Sequence, residues 1–149
     1  MRRLSGVLLA GAILVAPAFW HGLGGVSAQA EKTTFTGDLV IMAHAVNADK
    51  TADYEQVVAK LKEALSKSEA PEAKEQLAGW RVIKNATPNP DGSVVYLHVI
   101  TPVKDADYSI LANIYGMVKD PTEQRAVYDM YRAALKQVLF VIQGNEIAK

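Results

Sequence analysis

Cysteine is missing from all 149 residues. The chain therefore holds no disulfide, offers no thiol chemistry and cannot carry a lipid on an N-terminal cysteine. A basic block is missing too, and lysine plus arginine balance aspartate plus glutamate at 16 each. Nucleic acid is not an expected partner, because binding it takes a concentrated positive face. There is no phosphate loop, no dinucleotide fingerprint, no G-x-S-x-G elbow and no HExxH pair. Nothing resembles a calcium-binding loop. After Glu31 no apolar run approaches the ~20 residues that span a bilayer.

What is present begins at the N-terminus. Arg2 and Arg3 precede an uncharged apolar run from Val7 to Trp20, and small residues follow at Ala28-Gln29-Ala30. These are the three parts of a cleavable secretory signal. Cleavage is expected after Ala30, with Ala28 as the runner-up. Residues 1–30 are then a signal peptide and residues 31–149 a single domain, periplasmic or secreted, with no membrane association after cleavage. Loss of the two arginines takes the net charge from 0 to −2. The remaining 119 residues suffice for one real hydrophobic core.

From Glu31 to Gly37 the chain is polar and reads as a loose lead-in. Asp38–Val46 is apolar apart from its first residue and one histidine, and reads as a buried strand. After a turn, a helix is expected from Thr51 to about Ser68, with Tyr54, Val57, Val58, Leu61 and Leu65 on one stripe. Pro71–Ala78 predicts a short helix and Trp80–Ala86 a strand. Pro88-Asn89-Pro90-Asp91-Gly92 is a dense turn signal, leading to a valine-rich strand from Ser93 to Thr101. Tyr108–Tyr115 predicts another short helix. Asp120-Pro121-Thr122-Glu123 is a strong helix start. From there Val127, Tyr128, Tyr131, Ala134, Leu135, Val138, Leu139 and Ile142 keep helical spacing, which predicts one long C-terminal helix ending at Gly144. The order gives an α+β fold: a ferredoxin-like antiparallel sheet of three clear strands, with no evident fourth, covered by helices.

Lys50 with the helix after it, Gly79-Trp80 opening a strand, and the Asp91-Gly92 hairpin resemble the dimeric α+β barrel superfamily over Asp38 to Ile100. The antibiotic-biosynthesis-monooxygenase-like proteins belong to that group. The resemblance implies two sheets facing each other across a dimer, a pocket between sheet and helices, and members that include cofactor-free oxygenases and haem-handling proteins. The signal peptide and the long C-terminal helix depart from the usual pattern.

Strand alternation sorts the residues that bear chemistry. Met42 and His44 share one face of the first strand, and Tyr96 and His98 share one face of the third. If these strands are neighbours, the two histidines lie within ~8 Å of each other. One hairpin register adds Arg81 to that face, and a shift of one residue puts Trp80, Val82 and Lys84 there instead. The candidate pocket is thus His44, His98, Tyr96, Met42 and Arg81. Histidine can serve as a general base and tyrosine can orient a ligand; buried histidines hydrogen-bonded within a core are the plainer reading. Two histidines lack the third ligand a metal wants, so no cofactor is expected, with metal or haem as the lesser alternative. The expected function is an exported ligand-binding or accessory protein, acting as a homodimer on a small apolar or carboxylate-bearing ligand. A cofactor-free monooxygenase-like enzyme and a structural, partner-binding subunit are the alternatives.

Overall fold

The computed structural model describes residues 32–147; the expected signal peptide and its cleavage site lie outside them. The elements run β1 (Leu39–Val46), a 3-10 turn (Ala48–Lys50), α1 (Thr51–Lys67), α2 (Ala73–Gly79), β2 (Trp80–Lys84), β3 (Val94–Ile100), α3 (Ile110–Met117), α4 (Pro121–Ala134) and β4 (Leu135–Gly144). Over the described residues the fold is α+β: one open sheet of four strands in the order β2-β3-β1-β4, with every pairing antiparallel, and four α-helices. Among the described residues no helix is long and apolar enough to cross a membrane.

The C-terminal helix is shorter than its spacing predicts. It stops at Ala134, and Leu135–Gly144 becomes the fourth strand, paired with β1 along its whole length. Two causes are visible. The run Val138-Leu139-Phe140-Val141-Ile142 is apolar without interruption and rich in β-branched residues, so it suits a strand as well as a helix face. The end of α4 is also capped from outside. The Asn47 backbone N–H donates to the Ala134 carbonyl at 3.0 Å, and Asn47 Nδ2 donates to the Ala133 carbonyl at 2.9 Å. Carbonyls that a longer helix would have used are thereby satisfied from the turn after β1. At its other end α4 starts as expected, with Asp120 accepting from the Glu123 N–H at 2.9 Å and Pro121 in the first turn.

β4 carries two irregularities, where Leu139 and Lys136 are extra residues with no partner on β1. Such bulges twist an edge strand and blunt its pairing. The lead-in is tied down rather than loose. Thr33 exchanges hydrogen bonds with Asp107 and Tyr108, Phe35 lies against the Tyr108 ring, and the Asp38 N–H donates to the Gly144 carbonyl. Gly79 has a steric reason to be glycine: a Cβ there would sit 2.9 Å from the Thr101 carbonyl oxygen, where the chain enters β2 beside the end of β3.

The helices pack on one side of the sheet. Val40, Met42, Trp80 and Ile100 from the strands meet Val57, Leu61, Leu65, Ile114 and Val127 from the helices in the main core. Among the described residues nothing covers the other side. There Ile41, Val95, Leu97 and Val99 are half-buried, and Ile83, Phe140 and Ile142 are exposed. Because the C-terminal segment joins the sheet edge, it cannot serve as a lid over this face.

Candidate functional site

β1 and β3 are neighbours, and their register pairs Met42 with His98 and His44 with Tyr96. The two histidines therefore share the helix-covered face, with ring centroids 4.7 Å apart. α1 lays its first buried aromatic, Tyr54, across them. Tyr54 Oη is 2.6 Å from His44 Nδ1 and 2.7 Å from His98 Nε2. The register between β2 and β3 pairs Val82 with His98 and brings Trp80 onto the same face, where its indole Nε1–H donates to His98 Nδ1 at 2.9 Å. Four side chains from four elements thus form one buried line: Trp80, His98, Tyr54, His44.

Burial controls the charge of that line. Desolvation lowers His44 to a pKa of about 4. Desolvation, with a smaller repulsion from His44, lowers His98 to about 3. Desolvation first, then Tyr131 and Tyr96, pushes the Tyr54 phenol well above its ordinary value. All three are neutral at neutral pH. Every buried side-chain nitrogen or oxygen among the described residues has a hydrogen-bond partner.

Only one nitrogen of the line is left over. Trp80 and Tyr54 occupy both nitrogens of His98, and Tyr54 occupies Nδ1 of His44. His44 Nε2 has no partner among the described residues, yet it is not among sealed atoms that lack one. It must therefore reach accessible space. His44 lines a cavity of about 210 Å³, together with Met42, Tyr108, Ile110, Leu111, Tyr131, Thr33 and Ser109. The space lies between sheet and helices and none of its lining side chains is an acid, a lysine or an arginine. It is smaller than drug-sized sites of about 300–1,000 Å³ and matches a molecule of one ring.

The other expected pocket residues divide. Met42 lines the cavity. Tyr96 is buried on the correct face but turned away from the cavity: its hydroxyl donates to Glu55 Oε1 at 2.6 Å, and Lys84 Nζ approaches the same carboxylate oxygen at 2.8 Å. The Lys84 ammonium, followed by Tyr96, holds Glu55 below the usual carboxylate range. Arg81 pairs with Val99, on the opposite face from the histidines, and is exposed. Of the two hairpin registers open in the sequence, the one carrying Trp80, Val82 and Lys84 is adopted.

Tyr54 is the functional residue that sequence reading treats only as core. A signal for it exists: a phenol on the buried stripe of a helix must find a partner, and the sheet face beneath offers two histidines. Among the described residues no group of three histidines or acids is close enough to hold a metal ion. A larger groove of about 510 Å³ lies between the end of α1 and α3. Its Asn113, Asp107 and Lys67 are engaged within the chain, with Asn113 Nδ2 donating to the Asp107 and Ser109 carbonyls, and no aromatic or histidine side chain lines it, so the smaller cavity is the better site. No family model, curated protein or solved structure matches this chain.

Proposed function

We propose that this protein is a small-ligand-binding or accessory protein that acts as a homodimer of ferredoxin-like units. The observation that carries the ligand reading is a single unengaged imidazole nitrogen at the wall of an otherwise largely apolar cavity. Apolar walls with few placed polar groups are the ordinary make-up of a small-molecule site. The strand order β2-β3-β1-β4, with α1 and α4 on one side, supports the ferredoxin-like assignment and fits the resemblance to the dimeric α+β barrel superfamily. The bare apolar sheet face supports the dimer, since a soluble monomer rarely exposes a contiguous patch above a few hundred Å². The N-terminal segment adds export, to the periplasm or beyond.

Mass spectrometry of the native protein, purified from its own compartment, tests the ligand reading. The expected spectrum holds a small neutral molecule that leaves on denaturation, and a polypeptide mass that begins at Glu31. A native mass equal to polypeptide alone, together with no thermal stabilisation by any one-ring apolar compound, would refute it.

A further inference from the structure

The donor and acceptor roles along the buried line are not free to choose. Indole Nε1–H only donates. At 2.9 Å from it, His98 Nδ1 must present a lone pair. A neutral His98 then carries its hydrogen on Nε2, which donates to Tyr54 Oη. The one phenolic hydrogen of Tyr54 is left for His44 Nδ1, which accepts it. His44, accepting at Nδ1, carries its own hydrogen on Nε2. A line ending in a serine or a water could reverse; one ending in tryptophan cannot.

Resting on the cavity being a ligand site, we infer that His44 Nε2–H is a fixed hydrogen-bond donor, locked by Trp80 through the two intervening groups His98 and Tyr54, and that the cavity selects small neutral carbonyl compounds. Thr33, Ser109 and Tyr131 also line the space, but their hydroxyls turn to suit either role. Among the lining side chains only His44 imposes a preference. The ligand must offer an acceptor to it, or a buried N–H goes unpaired. A carboxylate would also accept, but no cation lines the cavity to balance it, because Arg81 lies across the sheet. This narrows the expected ligand from apolar or carboxylate-bearing to neutral and carbonyl-bearing. It also tells against His44 as a general base, since the nitrogen facing the cavity already holds a hydrogen and cannot give it up by tautomerisation.

The test has two arms. Nitrogen-15 NMR of the histidine rings in the unliganded full-length mature protein reads the lock without any ligand. Both rings should show a protonated Nε2 and an unprotonated Nδ1; a protonated Nδ1 on either ring overturns the proposal while leaving the cavity as a ligand site. The second arm compares cyclohexanone, methylenecyclohexane and cyclohexanecarboxylate, which are alike in size. Cyclohexanone should bind roughly fivefold to tenfold more tightly than methylenecyclohexane, the worth of one hydrogen bond, should shift the His44 Nε2 signal, and should outcompete the carboxylate. Equal binding of cyclohexanone and methylenecyclohexane, or preference for the carboxylate, overturns the selectivity alone. Binding of none of the three overturns both it and the ligand reading. In Trp80→Phe the line can reverse, so the ketone preference should fall to within about twofold; if that variant does not fold, the wild-type ring spectra still decide the lock.

Discussion

Tyr54 holds two imidazoles with one oxygen, so the replacement of that oxygen is more costly than its single atom suggests. Tyr54→Phe keeps the ring and its packing but leaves His44 Nδ1 and the His98 Nε2–H buried without partners. Urea denaturation should show a loss of about 2–4 kcal/mol, the sum expected for two stranded groups, with an unchanged m-value. Tyr96→Phe gives up one bond to a carboxylate that is open to water and should lose about 1 kcal/mol or less. The histidines also set a pH dependence. Their folded pKa values, about 4 and about 3, lie below the ordinary 6.5 of an unfolded chain. The unfolded state therefore binds more protons as pH falls below 6.5, and their contribution is complete above that pH and lost on going down towards 4 and then 3. At pH 5 the uptake approaches two protons per unfolding event, so stability should drop by about 2–3 kcal/mol per pH unit there. Flat stability between pH 7 and pH 4.5 would refute the placement of neutral buried imidazoles. The sharing of a face by His44 and His98 was legible from alternation once the first and third strands were taken as neighbours, which they are. Their linkage was not, because it depends on how far along α1 the helix meets the sheet, a tertiary quantity with no local pattern.

At the level of elements, the same sequence periodicities that place β1, α1 and β3 fail at the C-terminus. Val127, Tyr131, Ala134, Val138 and Ile142 continue a helical spacing straight across the boundary at Ala134. An unbroken apolar run satisfies a period of two and one of 3.6 equally. What decides is elsewhere in the chain: β1 needs a second neighbour, and Asn47 closes the helix end. Asn47→Ala removes only the side-chain half of that closure and should lose about 1 kcal/mol in denaturant unfolding. The hairpin posed a similar ambiguity, since Pro88–Gly92 announced a turn but not whether Arg81 or Trp80 would face the histidines. The register is settled by burial: the Trp80 indole fills the core and finds His98, while Arg81 keeps its charge in water. An Arg81→Ala variant should accordingly leave both stability and cyclohexanone binding within about twofold of wild type, measured by denaturation and titration.

For the whole molecule, the bare sheet face is the main debt of the fold. Phe140 and Ile142 on this face remain 43% and 56% exposed, and Val138 and Val141 on the other side of β4 are about equally so at 49% and 47%. Covering both sides of one edge strand is what a second copy around a two-fold axis can do. Light scattering of residues 31–149 at micromolar concentration should give twice the monomer mass, and Leu97→Lys with Phe140→Lys should give the monomer. A wild-type mass of one chain that does not change on concentration would sink the dimer. The placement of β4 has a further consequence, for the order in which the protein can come into being. Leu39, at the start of the domain, is paired with Gly144, near its end, and α4 is closed by a residue that follows β1. A ribosome-bound chain that stops at Ala134 has a central strand with one bare edge, and should be digested readily by added protease. Only a chain synthesised through Gly144 and clear of the ribosome should resist. The domain would then stay threadable, the state in which a secretion channel accepts a polypeptide, until Gly144 has left the ribosome.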